Sequence, residues 1–274
     1  MKNNVFQISL LFNVESASSC TVSILAADWL ATSHSCLASA SLDPVNWVLF
    51  GGPAGGNLDV NGTQIKTVRD IVSHPQNRRS QHLFSNDLAL VRLEEPLEFN
   101  DEVSSICVAS KNPDSDQLCV TAGWTAGEEA GVTYSQYLNY LPQPVVPDLT
   151  CNSTSMYSGK LTHDSFCSRA DGDSKLCQVW IKILFLVQLF NGSLFQEDKG
   201  TPLMCLSGDT WQLQGVLSSR GGCESSRPAV FSSLPDQRDW ILQTLGKLLG
   251  RHSAVGMLRW KSGGECPLSA AAPL

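Results

Sequence analysis

The sequence predicts an all-β protein, a barrel or a sandwich, that ends in a single helix. Three observations lead there. Short apolar runs of strand length recur along most of the chain. Clusters of Gly, Pro, Asn and Asp separate them. Only one segment, near the end, has helical spacing.

Taken in order, the first run is Val5–Phe12, read as a strand. "TVSIL", "NWVLFGG" and "IKTVRDIV" follow, then "DLALVRL" and "QLCVTAGW", then "PLMCL" and "WQLQGVLSS". Each is the length of a strand and is bounded by turn residues. "PDQRDWILQTLGKLLG" is different: Trp240, Ile241, Leu245 and Leu248–Leu249 recur along one helical face, with Asp236 as a candidate N-cap. Beyond Gly250 the tail is basic, then small and rich in Gly and Ala, and is expected to be disordered. No internal repeat of fixed short period is present.

Composition narrows the class. The 274 residues, 42 % of them hydrophobic, suffice for one large domain or two small ones with a sizeable core. A net charge of −7 argues against nucleic acid as a partner. Ten cysteines without a CxxC pair read as disulfides of an oxidising compartment, not as a metal site, and no motif implies a cofactor. Sequons at Asn61, Asn152 and Asn191 are compatible with secretion. The N-terminus has no clear export signal, so the chain reads as a piece whose start lies upstream. The most apolar stretch, "VWIKILFLVQLFNGSLFQ" (179–196), has an unbroken apolar part only about half the roughly 20 residues of a membrane span. No membrane insertion is expected.

Six further stretches carry a resemblance. "DWLATSHSC" is similar to the histidine turn W-[VL]-[VL]-T-A-A-H-C of the chymotrypsin/trypsin family of serine proteases. "NDLALVRLEEPLEFNDEVSSICVAS" resembles that family's N-D-I-A-L-L-x-L stretch with its downstream I-C-L-P, and "LCVTAGW" its C-x-V-x-G-W. "EDKGTPLMC" resembles G-D-S-G-G-P-L-V-C, and "GVLSSRGGC" resembles G-I-V-S-W-G-x-G-C. "RPAVFSSLPDQRDWI" resembles the closing P-G-V-Y-T-x-V followed by D-W-I. All six fall in the family's order. The resemblance spans residues 5–248 and implies two antiparallel six-stranded barrels, at about 5–108 and 117–233, with a C-terminal helix at about 234–248 and the 249–274 tail outside them.

The resemblance also implies disulfides Cys20–Cys36, Cys119–Cys205, Cys151–Cys167 and Cys177–Cys223. Cys107 is left over, its counterpart often bridging to an upstream propeptide, and Cys266 has no counterpart.

The catalytic positions have changed. A serine protease needs a nucleophile, a histidine base, an orienting aspartate and an oxyanion hole. Asp87 keeps the aspartate position, but Ser35 stands at the base and Lys199 at the nucleophile. His34 comes one residue early. Glu197 replaces the oxyanion-hole glycine and sets negative charge where negative charge must develop. Thr201 replaces the glycine after the nucleophile, Arg220 the glycine at the pocket mouth, and Lys175 stands at or near the pocket floor. The substrate-binding edge reads Ser218, Ser219, Arg220. No I-V-G-G terminus is present to pair with Asp198. A swapped dyad, Ser35 as nucleophile and Lys199 as base, needs a neutral lysine, which Asp87 and Glu197 oppose. Asp87 is expected to persist as a buried acceptor for Ser35 and nearby amides.

The resemblance therefore implies a catalytically inactive serine protease homologue, secreted or extracellular, that binds an unidentified protein partner, as part of a longer mosaic chain. The alternatives are an active trypsin-like endopeptidase whose coding sequence has been misassembled, and a structural domain of an extracellular matrix or coat. Misassembly bears most on residues 179–196. Without them the chain reads "DSKLCQEDKGTPLMC", close to the family's D-S-C-Q-G-D-S-G-G-P-L-V-C. Valine codons begin with GT, and Leu-Phe-Gln can be written as a pyrimidine run ending in CAG. An in-frame retained intron is expected there, with a genuine hydrophobic insertion as the alternative. On the intron reading Asn191 is no glycosylation site.

Overall fold

The computed structural model describes residues 8–16, 18–52, 63–80, 83–100, 103–123, 139–169, 199–219 and 227–248. They are mostly strand, with short helices and one longer helix at the end.

The first half folds into β1 (Ile8–Asn13), β2 (Ser18–Ala26), β3 (Trp29–Thr32), α1 (His34–Ala38), a 3-10 turn at Pro44–Asn46, β4 (Trp47–Gly51), β5 (Gln64–Ser73), β6 (Arg78–Ser80), β7 (Leu83–Ser85) and β8 (Ala89–Leu93). Six of these strands close an antiparallel barrel in the order β1-β2-β3-β8-β5-β4. Closure removes the exposed edges of an open sheet. Leu11, Val22, Ile24, Trp47, Leu49 and Val91 fill the interior. β6 and β7 form a separate hairpin.

The second half contains β9 (Cys107–Val108), β10 (Cys119–Gly123), β11 (Asn139–Pro142), β12 (Val145–Val146), α2 (Asp148–Cys151), β13 (Ser165–Ser168), β14 (Pro202–Ser207), β15 (Thr210–Ser219), β16 (Ala229–Ser233) and α3 (Arg238–Leu248). Among the described residues the expected second barrel is present as a half-barrel. The described residues form an eight-stranded sheet, β11-β10-β14-β15-β16-β13-β12, with β9 paired in parallel to β15. Two physical causes account for the difference. Pro144 has no N–H to continue a ladder, so one stretch of chain is split into β11 and β12. Its two parts pair at opposite ends of the sheet, with Gln143 N–H on the Cys119 carbonyl and the Pro144 carbonyl accepting from Arg169. β9, which the sequence placed with the first barrel, is held by β15 of the second sheet.

A second apolar cluster joins the two halves. Trp29, Ala31, Leu88 and Leu90 of the first barrel meet Ala122, Met204, Leu213 and Val216 of the second sheet, and Ile241 and Leu245 of α3 pack in the same cluster. This seam explains why the terminal helix is amphipathic. Asp236 does not sit directly before α3. It lies in the preceding turn, where its carboxylate accepts the Asn112 amide.

Disulfides join Cys20 to Cys36, Cys119 to Cys205 and Cys151 to Cys167. Cys107, left over in the sequence reading, is disulfide-bonded as well. Cys177, Cys223 and Cys266 lie outside the described residues, as do Asn61, Asn191 and the 179–196 stretch. Among the described residues no helix is long and apolar enough to cross a membrane.

Candidate functional site

The site is built around one carboxylate. Asp87 enters β8 after Asn86, whose φ of 48° lies in the left-handed region where Asn is tolerated. Its side chain is fully buried. Oδ1 accepts the Ser35 backbone N–H at 2.7 Å, and Oδ2 accepts the Ser35 hydroxyl at 2.7 Å. The Ser218 hydroxyl, from β15 of the other half, also donates to Oδ2, at 2.5 Å.

Local structure shows why α1 needs this carboxylate. The first amides of a helix have no partner within it. Ser33, at the N-cap, makes no side-chain capping bond. Asp87, in the segment between β7 and β8, supplies the missing acceptor by taking the Ser35 amide. Burial raises the Asp87 pKa, opposed by the hydrogen bonds from Ser218 and Ser35 and by the charge of His34. His34 does not bond to the carboxylate. Its Nδ1 lies 2.8 Å from the Ser73 hydroxyl on β5.

Lys199 and Gly200 reach the same region through their backbone. The Lys199 carbonyl accepts from Thr21 N–H, and Gly200 N–H donates to the Leu217 carbonyl, next to Ser218. Gly200 has φ 81°, and a Cβ there would overlap Thr32 Oγ1 and the Thr21 carbonyl. Only glycine fits such an approach. Thr32 Oγ1 in turn donates to the Thr21 carbonyl, three residues before Ser35. Thr201 is buried, and its carbonyl accepts from Leu217 N–H. The structure thus brings Ser35, Asp87 and Ser218 into direct contact and ties the Lys199 backbone to the strands beside them. Lys175, Glu197 and Arg220 lie outside the described residues.

Two features had no signal in the sequence. Ser218, read as part of a substrate-binding edge, is an Asp87 donor across the two halves. Asp164, just before β13, is buried and accepts the Asn86 N–H, a further polar link between the halves. The motif that holds Ser218 does not mark it as a partner of Asp87, and no motif marks Asp164. At Asn152, a candidate glycosylation site, the amide already pairs with the Leu161 backbone: Oδ1 accepts at 3.2 Å and Nδ2 donates at 3.5 Å.

Comparison with known proteins agrees with this geometry. The family model described as Trypsin matches residues 2–178. The chain is 30 % identical over 230 residues to human "Transmembrane protease serine 5", covering 82 % of this chain and 46 % of that protein. It is also 30 % identical over 193 residues to rat "Cationic trypsin-3", covering 69 % of this chain and 68 % of that protein. The chain thus spans about half the length of the transmembrane relative. With a closed six-stranded barrel packed on a second β-sheet half-barrel, three disulfides at these positions among the described residues and a family match over most of its length, the chain belongs to the trypsin family.

Proposed function

We propose that this chain is a catalytically inactive trypsin-family domain that acts outside the cell by binding another protein. The observation that carries the reading is the occupancy of Asp87. In an active serine protease the corresponding carboxylate orients a histidine that takes a proton from the nucleophile. Here both oxygens of Asp87 are engaged by Ser35 and Ser218. A serine hydroxyl has no useful basicity near neutral pH, so it cannot replace that histidine. His34, one residue earlier, is turned to Ser73 on a different strand. At the nucleophile position Lys199 carries no hydroxyl to acylate. Disulfides favour an oxidising compartment, which supports the extracellular assignment.

The test has two arms. Purified chain is incubated with an active-serine phosphonate probe and, separately, with a peptide library. No covalent labelling and no cleavage are expected, because losing the nucleophile alone costs about 10⁶ in turnover. Inhibitor-sensitive cleavage overturns the proposal. Ser35→His with Lys199→Ser is expected to remain inactive too, since Glu197 and Arg220 persist in that variant.

A further inference from the structure

We infer that the outer face of β1, β4 and β5 is the partner-binding surface of this chain, and that it takes a protein segment whose apolar side chains are flanked by lysine or arginine. The inference rests on the reading of the chain as a protein-binding domain and names the surface that does the binding.

Strand register lays the face out. Side chains alternate along a strand, and Leu11 and Leu49 point into the first barrel. Their neighbours on β1 and β4 therefore point outward. One row across the three strands is Leu10, Phe50 and Ile65, and the next is Phe12, Val48 and Thr67. Five of these six side chains are apolar. Phe12 and Phe50 meet edge to face, ring centroids 6.3 Å apart. Ile65 and Val14, the residue after β1, are each 58 % exposed. Val14 stays beside the face because its N–H donates to the Asn46 carbonyl. On the other side the patch ends at Ser19 and Thr21 of β2, opposite Phe12 and Leu10. A solvated face of an antiparallel sheet is ordinarily polar. Scattered exposed apolar residues need no explanation, whereas a contiguous patch marks a contact surface.

The rim carries the charge. Glu94 accepts the Thr67 hydroxyl and donates its own N–H to the Thr67 carbonyl. Glu98 is held beside Ile65: its N–H donates to Gln64 Oε1 and its carbonyl accepts from Gln64 Nε2. Glu15 follows Val14 and accepts the Asn46 amide. All three glutamates are exposed. The cations of β5 are already paired, Lys66 with Glu95 at 3.4 Å and Arg69 with Asp70 at 3.7 Å. Among the described residues the rim is therefore acidic around an apolar centre.

Charge selects the occupant. Complementary charge around an apolar contact steers the right partner and repels wrong ones. A second copy in a two-fold contact would set the same glutamates against each other, in a chain of net charge −7. An anionic membrane surface is repelled for the same reason. A protein segment with basic residues on either side of its apolar anchors satisfies both parts of the face.

Panning the purified full-length chain against a displayed library of random peptides tests this. Enriched peptides are expected to carry Leu, Ile, Val or Phe flanked by Lys or Arg. Synthetic copies of them should bind Ile65→Asp about tenfold or more weakly than the parent, and binding to the parent should fall as ionic strength rises from about 0.05 to about 0.5 M. Ile65 is largely exposed, so the variant is expected to melt like the parent. If it does not fold, Glu98→Lys takes its place and should weaken the same peptides. Enrichment of nothing, or of sequences without basic residues, overturns the inference. So does a dimer, or binding to phosphatidylserine vesicles, that Ile65→Asp abolishes. Equal binding of the peptides to a folded Ile65→Asp overturns this surface alone and leaves the binding-domain reading standing. Inhibitor-sensitive cleavage of the peptides overturns that reading, and the inference with it.

Discussion

Asp87 holds α1 and β15 together through three hydrogen bonds, so its removal strands three buried donors at once. Asp87→Ala is expected to cost on the order of 3 kcal/mol, read as a lower urea midpoint. Its titration has a definite sign. Burial raises the Asp87 pKa above 3.8, so the native state holds that proton more tightly than the unfolded chain. The resulting stability is fully present below about pH 4 and is lost as pH rises through the folded-state pKa. Relative to Asp87→Asn, which does not titrate, the parent chain should therefore lose stability between about pH 4 and the folded-state pKa. Parallel curves for the two proteins would refute this. Gly200→Ala tests backbone strain in the same place. Positive φ and overlap with Thr32 and the Thr21 carbonyl act together, and a loss of about 3 kcal/mol or more is expected in thermal unfolding. The sequence offered Ser35, Asp87 and Lys199 as candidate positions, but not the partners of Asp87. Ser218 looks like an ordinary strand residue until β15 brings it to Asp87 from 131 positions away.

At the scale of elements, α3 is the most exposed to test. Ile241 and Leu245 are almost completely buried in the seam, so each truncation to Ala should cost about 2–5 kcal/mol. Trp240 on the same helix stacks edge-on against His74, ring centroids 4.6 Å apart. Burial lowers the His74 pKa below 6.5, opposed by the charge of Asp164. A depressed histidine contributes stability above the unfolded pKa and loses it as pH falls, because the unfolded chain takes the proton first. The melting temperature should thus fall on acidification from about pH 7 to pH 5.5, and His74→Phe should flatten that part of the profile. An unchanged slope in His74→Phe would show that other groups carry it. Strand cores were readable as apolar runs: "TVSIL" lies within β2, "PLMCL" within β14 and "WQLQGVLSS" within β15. The helix boundary was less readable: α3 starts at Arg238, after a turn that the Asn112–Asp236 bond organises.

For the whole molecule, the family match ends at residue 178, one position before the apolar stretch 179–196 begins. That coincidence adds weight to the proposal that these eighteen codons are a retained intron. Long-read sequencing of mature messenger RNA should find transcripts that run from Gln178 directly to Glu197. If nearly all transcripts keep the codons, the stretch is a genuine insertion. The two halves are joined by an apolar seam and by polar links that include those at Asp87 and Asp164 and the Thr21 N–H to Lys199 carbonyl bond. Trp29 and Leu90 of one half and Met204 and Val216 of the other lie buried in that seam.

By itself the sequence determined the β class, the terminal helix and the family. These are local matters of apolar pattern, turn residues and motif order, each written in a few consecutive positions. The tertiary structure alone decided which groups satisfy Asp87, why Gly200 must be glycine, that β9 serves the second sheet, and that Cys107 is bridged. Each of these depends on two segments distant in sequence meeting within a few ångströms. Burial enforces such meetings, because a buried polar group requires a partner wherever in the chain that partner lies.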